Sequence, residues 1–348
     1  MFYVLRILME KPVLVWTYHR VLPGGGPGAV DIDVFDSQIA YLAERGCCFL
    51  DTAGLEAWMD GRLDRSIRYA MISFDDGWAD NLVYATPVLQ KYNVRAVLAL
   101  NTALGGTPGR EGTFKVTPYK EALRLAACGI DRSSFLTWGG LEMMRDTSLW
   151  DIQAHGNSHY GSFQSLEKVR GFYPVSDHWT LQYALGEAPF PGAPRAEFRS
   201  SLCSPRTLPS EEFKTLLKRA SSDEERFRIC RENGAGALLP AETEPEFLKR
   251  IEDDFRSCSD IIYDKLSIRP ASFFWPWGHY SPIAVKTALS CGYRMLFTMN
   301  KGAVTAATAK DGIPRIAAPA SFSRFRKQFK IFSSPLLRKL RRIFSKGA

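Results

Sequence analysis

Four times along the chain, a stretch with apolar residues at helical spacing is followed by a short turn and then by an apolar run. The first places Phe35, Ile39 and Leu42 on one helical face, stops near Gly46 and continues as Cys47 to Leu50. The second passes through Leu82, Ala85 and Leu89, turns at Asn93 and becomes Val94 to Leu100. A third carries Leu141 and Met144, turns at Thr147 and Ser148, and gives Leu149 to Ala154. The fourth contains Ile283, Ala284 and Leu289, breaks at Gly292 and yields Tyr293 to Phe297. Helices alternating with strands at this spacing predict crossover units and a parallel sheet, either open or closed into a barrel.

Polar residues punctuate the ends of the apolar runs. His19 follows Val13 to Tyr18, Asp75 and Asp76 follow Tyr69 to Phe74, and His155 follows Trp150 to Ala154. Trp275-Pro276-Trp277-Gly278 closes Ser272 to Phe274. In a parallel barrel the C-terminal strand ends share one face, so residues far apart in sequence converge there. An Asp with two His spaced four apart, His155 and His159, is a three-ligand set for a divalent metal, and the spare Asp can act as a base beside it. Asp-Asp-Gly alone suits an ordinary turn. The scarcity of histidine favours the ligand reading: the chain has five in 348 residues, and two lie in one five-residue segment. A helical HExxH metalloprotease site is excluded, because Gly156 and Asn157 lie between the histidines and no Glu does.

The rhythm breaks between about Tyr160 and Pro245, where a turn-rich patch from Pro189 to Pro194 precedes a charged helical stretch from Ser210 to Asn233. This segment is expected to be an insertion over the catalytic face. At 348 residues and 45% hydrophobic content the chain can bury a full core. Seven cysteines without a CxxC spacing fit a reducing compartment better than a disulfide framework or a cysteine zinc site. Met1 to Lys11 has no apolar run of signal-peptide length, and no window approaches a membrane span. The expected location is therefore the cytosol.

The net charge of +8 is concentrated at one end. From Ser323 to Ala348 there are basic residues and no acid, interleaved with Phe325, Phe329, Phe332, Leu336, Leu337, Leu340 and Phe344. That composition predicts a basic amphipathic segment, split by Pro335, lying on an anionic membrane surface at its cytosolic face. A helix docked on the body is the competing reading. Nucleic acid is not expected as a partner, since the basic residues are confined to the tail and no binding motif accompanies them.

Together these motifs resemble the polysaccharide deacetylases of carbohydrate esterase family 4, the NodB-homology fold. Ser73-Phe74-Asp75-Asp76-Gly77 is similar to the family's first motif, and His155-Gly156-Asn157-Ser158-His159 to its second, with Gly156 in place of the usual hydroxyl residue. Phe274-Trp275-Pro276-Trp277-Gly278 and Tyr18-His19-Arg20-Val21 resemble elements of the permuted branch that contains poly-N-acetylglucosamine deacetylases. The similarity covers Val13 to Tyr160 and Pro245 to Pro319. It implies an α/β fold, a distorted (β/α)7 barrel over residues 1–319 interrupted by 160–245, followed by the tail 320–348.

The resemblance also implies chemistry: a hydrolase of carbon–nitrogen bonds other than peptide bonds, removing an N-acetyl or similar acyl group from an amino sugar in a glycan or its precursor. Asp76, His155 and His159 would bind the metal, most readily zinc, with iron, cobalt or nickel fitting the same donor set. Asp75 would be the base and His19 the acid. The Trp277 backbone N–H would hold the oxyanion, with Trp275, Pro276 and Tyr18 completing the substrate-contacting set. Amide hydrolysis independently needs a proton for a poor leaving amine. Of the unassigned histidines His19, His178 and His279, only His19 ends an unassigned strand, and His279 is the runner-up. The competing functions are an exported deacetylase of finished polysaccharide and an inactive glycan-binding barrel.

Overall fold

The computed structural model describes residues 10–106, 115–175 and 178–338. Seven parallel strands close on themselves: β1 (Leu14–Tyr18), β2 (Tyr69–Asp76), β3 (Ala96–Leu100), β4 (Trp150–Ala154), β5 (Ser272–Phe274), β6 (Met295–Lys301) and β7 (Ile313–Ala317). Each pairs with the next in chain order, and β7 returns to β1 through Trp16 opposite Ile316. The short strand Cys48–Phe49 lies along the first residues of β2.

Strand alternation sorts the core into two layers. Val13, Val15, Met71, Val97, Ala99, Phe274, Phe297 and Ile313 pack together inside the barrel. Their neighbours Leu14, Trp16, Ala70, Ile72, Leu98 and Ile152 pack outward against the helices. All eight residues of β2 are buried, as a parallel strand covered on both faces requires.

All four helix–turn–strand units expected from the apolar spacing are present, with helices Ile32–Glu44, Thr86–Lys91, Trp138–Asp146 and Pro282–Ser290 before their strands. Each turn contains a residue of positive φ, namely Gly46, Asn93, Ser148 and Gly292. A left-handed residue ends a helix by turning the chain out of it, which is why these turns are short.

Residues 161–240 depart from the barrel pattern. The antiparallel strands Gly161–Phe172 and Pro194–Ser200, with helices Glu211–Arg219 and Asp223–Asn233, surround a core of their own built on Phe163, Leu166, Phe213, Leu217 and Ile229. The chain returns through the 23-residue helix Glu244–Leu266, opened by a reciprocal cap between Thr243 and Glu246.

The first part of the tail follows the competing reading of a docked helix. Helix Phe322–Ser333 is amphipathic, but its apolar side is already occupied by the barrel: Phe325 lies 4.1 Å from Trp16, Phe329 lies 5.4 Å from Tyr41, and Phe332 is buried beside them. Phe325, Phe329 and Phe332 therefore complete the protein core, while Arg324, Arg326, Lys327 and Lys330 face solvent and Leu336 and Leu337 are exposed. The remainder of that expectation, Lys339 to Ala348, lies outside the described residues. Among the described residues no helix is long and apolar enough to cross a membrane.

Candidate active site

The C-terminal ends of the barrel strands surround a cavity of ≈ 260 Å³. His19, Asp75, Asp76, His155, His159 and Trp277 all line it, joined by Tyr119, Leu123, Trp179 and Met299. Successive strand residues point to opposite faces, so two adjacent aspartates need a backbone irregularity to share one cavity. Asp76 supplies it with φ 78, and Gly77 follows at φ 99. Asp75 thus keeps the inward phase of Met71 and Ser73, while Asp76 turns over the strand end.

Asp76 Oδ1 lies 3.4 Å from His155 Nε2 and 3.7 Å from His159 Nε2. Donors held about 2.1 Å from a tetrahedral ion are separated by about 3.4 Å, so this spacing fits a divalent cation. The hydrogen bonds behind the donors agree. His155 Nδ1 lies 2.7 Å from the Phe274 carbonyl, which can only accept, so that nitrogen carries the proton and Nε2 presents a lone pair. Trp78 Nε1 donates to the other Asp76 oxygen at 3.0 Å. Three acceptors facing one point are repulsive unless a cation lies between them, and Asp76, His155 and His159 form the one such cluster among the described residues.

Charge around the cavity follows the same logic. Burial pushes His159 down to about 3, against the pull of Asp76, so its imidazole stays neutral and able to ligate. Burial opposes ionisation of Asp76, but a proton on His155 Nε2, which a cation would replace, and the surrounding imidazoles hold it below the usual carboxylate range. Burial lowers His155 and the Asp75 and Asp76 carboxylates raise it further, leaving it above its ordinary value, so the same two charges that favour a proton on Nε2 would favour a cation in its place. Asp75 is likewise penalised by burial yet held low, chiefly by Arg315.

Arg315 carried no sequence signal beyond being a cation on a buried strand. It projects from β7 into the barrel, donates through Nη1 to Asp75 Oδ1 at 2.6 Å and through Nε to the Thr298 carbonyl at 3.1 Å, and lies over the Phe274 ring. Asp254 was also missed. Its signal was a carboxylate in phase with the buried stripe Phe247, Ile251, Phe255, Cys258 and Ile262 of one long helix. From there it accepts from the Asn157 and Ser158 N–H groups at 2.9 and 2.8 Å and from Ser158 Oγ at 2.6 Å, gripping the loop between the two histidines.

His19 sits on a bend after β1, and the segment is anchored from below. Asn81 Nδ2 donates to the His19 carbonyl, Asp80 accepts from Val21 N–H and from Arg20 at 2.7 Å, and Arg20 stacks on Trp78. The loop after the two aspartates therefore locates the His19 backbone.

Three expected substrate contacts are not brought to the cavity. Tyr18 is buried with its hydroxyl donating to Gln38, and Trp275 is buried against Phe255, Phe273 and Tyr280, because both alternate outward from the barrel. Pro276 is buried in the turn below Trp277 and does not line the cavity. The Trp277 ring packs edge-on at 4.3 Å from His159. His279 is bound instead to Ser200 N–H, and His178 to Thr180. Trp179, from the segment between β4 and the long helix, closes the cavity 5.1 Å from the His159 ring.

A family model described as polysaccharide deacetylase matches residues 63–177. The chain is 24% identical over 294 residues to poly-beta-1,6-N-acetyl-D-glucosamine N-deacetylase of Escherichia coli, covering 84% of this chain and 34% of that one. It thus spans about a third of the length of the curated relatives it matches. A de-N-acetylase from Aggregatibacter actinomycetemcomitans superposes with TM-score 0.60 at 18% identity, covering 91% of this chain and 99% of that chain. The BpsB deacetylase domain from Bordetella bronchiseptica superposes with TM-score 0.57 at 17% identity, covering 89% and 96%. At these identities the structural likeness speaks for the barrel fold.

Proposed function

We infer that this chain, which belongs to the polysaccharide deacetylase family, hydrolyses the N-acyl bond of an amino sugar within a glycan or glycan precursor. Asp76, His155 and His159 would hold a divalent cation, with zinc the best match to one carboxylate and two imidazoles. When bound, the ion supplies positive charge for the acyl oxygen and lowers the pKa of a water.

The remaining steps belong to the chain's own groups. Asp75, kept ionised by Arg315, accepts the proton of the attacking water at the carboxylate oxygen not engaged by the guanidinium. The Trp277 backbone N–H would donate to the developing oxyanion. His19, across the cavity on the β1 end, gives its proton to the leaving amine, which is otherwise too basic to depart. Trp179 and Trp277 limit the water that reaches this charge separation.

The observation that carries this reading is the meeting of a metal-spaced Asp-His-His triad with a second, Arg-held carboxylate in one cavity. Metal content and acetate release, measured on the same purified samples, test it. Asp76→Ala should lose both metal and release, whereas Asp75→Asn should keep the metal and lose release by about a hundredfold or more. A chelator should abolish wild-type release, and readdition of zinc should restore it. Full activity in either variant would remove the mechanism. Seven free thiols support a reducing compartment as the place of action, which cell fractionation tests.

A further inference from the structure

A hollow of ≈ 660 Å³ opens at the end of the barrel opposite the metal site. Lys11 and Pro12 line it just before β1, Arg65 just before β2, and Trp58 from the helix Thr52–Met59. Pro335 and Arg338 reach it from beyond the helix Phe322–Ser333. Glu10 lines it too, so the two ends of the described chain, Glu10 and Arg338, meet at one place.

The surface around this hollow is both apolar and basic. Ser334 starts a new turn after the helix, accepting from Arg338 N–H at 3.0 Å through its carbonyl and from Leu337 N–H at 3.4 Å through Oγ. Pro335 suits the start of such a turn, since it has no N–H to leave unpaired. The turn leaves Leu336 and Leu337 67% and 40% exposed, and Ile67, two residues past Arg65, is 39% exposed. Arg65 is engaged by the protein itself: it stacks on Trp58 at 5.1 Å, donates to the Trp58 and Met59 carbonyls at 3.2 and 2.8 Å, and pairs with Glu10 at 3.4 Å. Asp60 is likewise held by Arg62 and Lys310, and Asp64 accepts from Ser66. Lys11 is exposed, its backbone fixed by an N–H bond to the Arg65 carbonyl at 2.8 Å. The exposed cations Arg324, Arg326, Lys327 and Lys330 lie on the helix that leads to the hollow. The sequence on either side continues the pattern. Met1 to Met9 carries one charge, Arg6, among apolar residues, and Lys339 to Ala348 sets Lys339, Arg341, Arg342 and Lys346 among Leu340, Ile343 and Phe344 with no acid.

We propose that this end of the barrel docks on an anionic phospholipid bilayer, with Leu336, Leu337 and Ile67 entering the boundary between headgroups and acyl chains, and Lys11 and Arg338 meeting lipid phosphates at the mouth of the hollow. Apolar area and positive charge add at such a surface, and here they stand side by side. A nucleic acid would engage the cations and leave the leucines in water. The metal cavity, on the other ends of the same strands, opens away from the lipid.

Flotation of the full chain with vesicles of phosphatidylcholine, alone or mixed with phosphatidylglycerol, tests the proposal. The mixed vesicles should bind about tenfold more tightly than the neutral ones, and added salt should weaken that binding. Leu336→Ser combined with Leu337→Ser should lower affinity for the mixed vesicles about tenfold, and Lys11→Glu severalfold. Both variants should keep the wild-type melting temperature, because all three side chains are exposed. Absence of wild-type binding, equal binding to both vesicles, or full binding in both variants overturns the proposal. A loss in Lys11→Glu with full binding in the leucine variant also overturns it, since the surface would then be a general polyanion contact.

Discussion

Asp254 takes three hydrogen bonds from Asn157 and Ser158, although ninety-six residues separate it from Ser158. A carboxylate on a long, well-capped helix thereby fixes the loop that carries both histidine donors. Replacing it by Asn leaves one acceptor oxygen where two are used and turns an N–H₂ toward backbone donors. Asp254→Asn should weaken zinc affinity by about ten- to a hundredfold, in line with other groups that orient metal ligands. Calorimetric titration of the apoprotein checks this, and an unchanged affinity would leave Asp254 a purely structural residue.

Gly156 explains the departure of the second motif from the family's usual hydroxyl residue. Its φ is 89°, and a Cβ there would meet the Ser158 carbonyl oxygen at 3.1 Å and Asp254 Oδ1 at 3.2 Å. With Asp254 holding the loop, a side chain at 156 is strained by the positive φ and crowded by two oxygens. Gly156→Ser should therefore destabilise the protein by about 1–3 kcal/mol and lower metal occupancy. Urea unfolding with metal analysis measures both; a stabilised variant with full metal would contradict this account.

The pH dependence of turnover should report the pair formed by Asp75 and Arg315. The base works only when ionised, and Arg315 holds its pKa below the usual carboxylate range against the cost of burial. Activity is retained above that pKa and lost below it. Arg315→Gln removes the compensating charge, so the acidic limb of kcat/KM should move to higher pH. A profile of unchanged position with a uniformly lower rate would assign Arg315 to packing alone.

The helix Phe322–Ser333 should act on stability rather than on lipid insertion. Phe325 is fully buried against Trp16, so Phe325→Ala should cost about 3–5 kcal/mol, seen in urea unfolding. Sedimentation with anionic vesicles should not change in that variant, because the ring is already covered by protein. Release of the folded variant from vesicles would restore the lipid role.

The sequence by itself determined the repeating helix–strand units, the strand ends that carry polar residues and the Asp-His-His set that could hold a cation. These are local properties: apolar spacing follows from the period of each element, and turn residues such as Gly46 and Asn93 act on their own backbone. The adjacent acids, the His pair and His19 were legible because each sits within a few residues of a strand end. Only the tertiary structure decided which neighbours meet them. Arg315 reaches Asp75 across the barrel, 240 positions away, because β7 closes onto β1. Asp254 reaches the histidine loop through a long helix, and Trp179 arrives from a segment whose period revealed no site. It also decided where the helix Phe322–Ser333 packs, since an amphipathic helix has the same sequence pattern whether its apolar face meets lipid or the protein's own core. Trp275 and Tyr18 follow the same rule, for the phase of a strand relative to the closed barrel, and not the identity of the residue, selects which aromatic rings face the cavity.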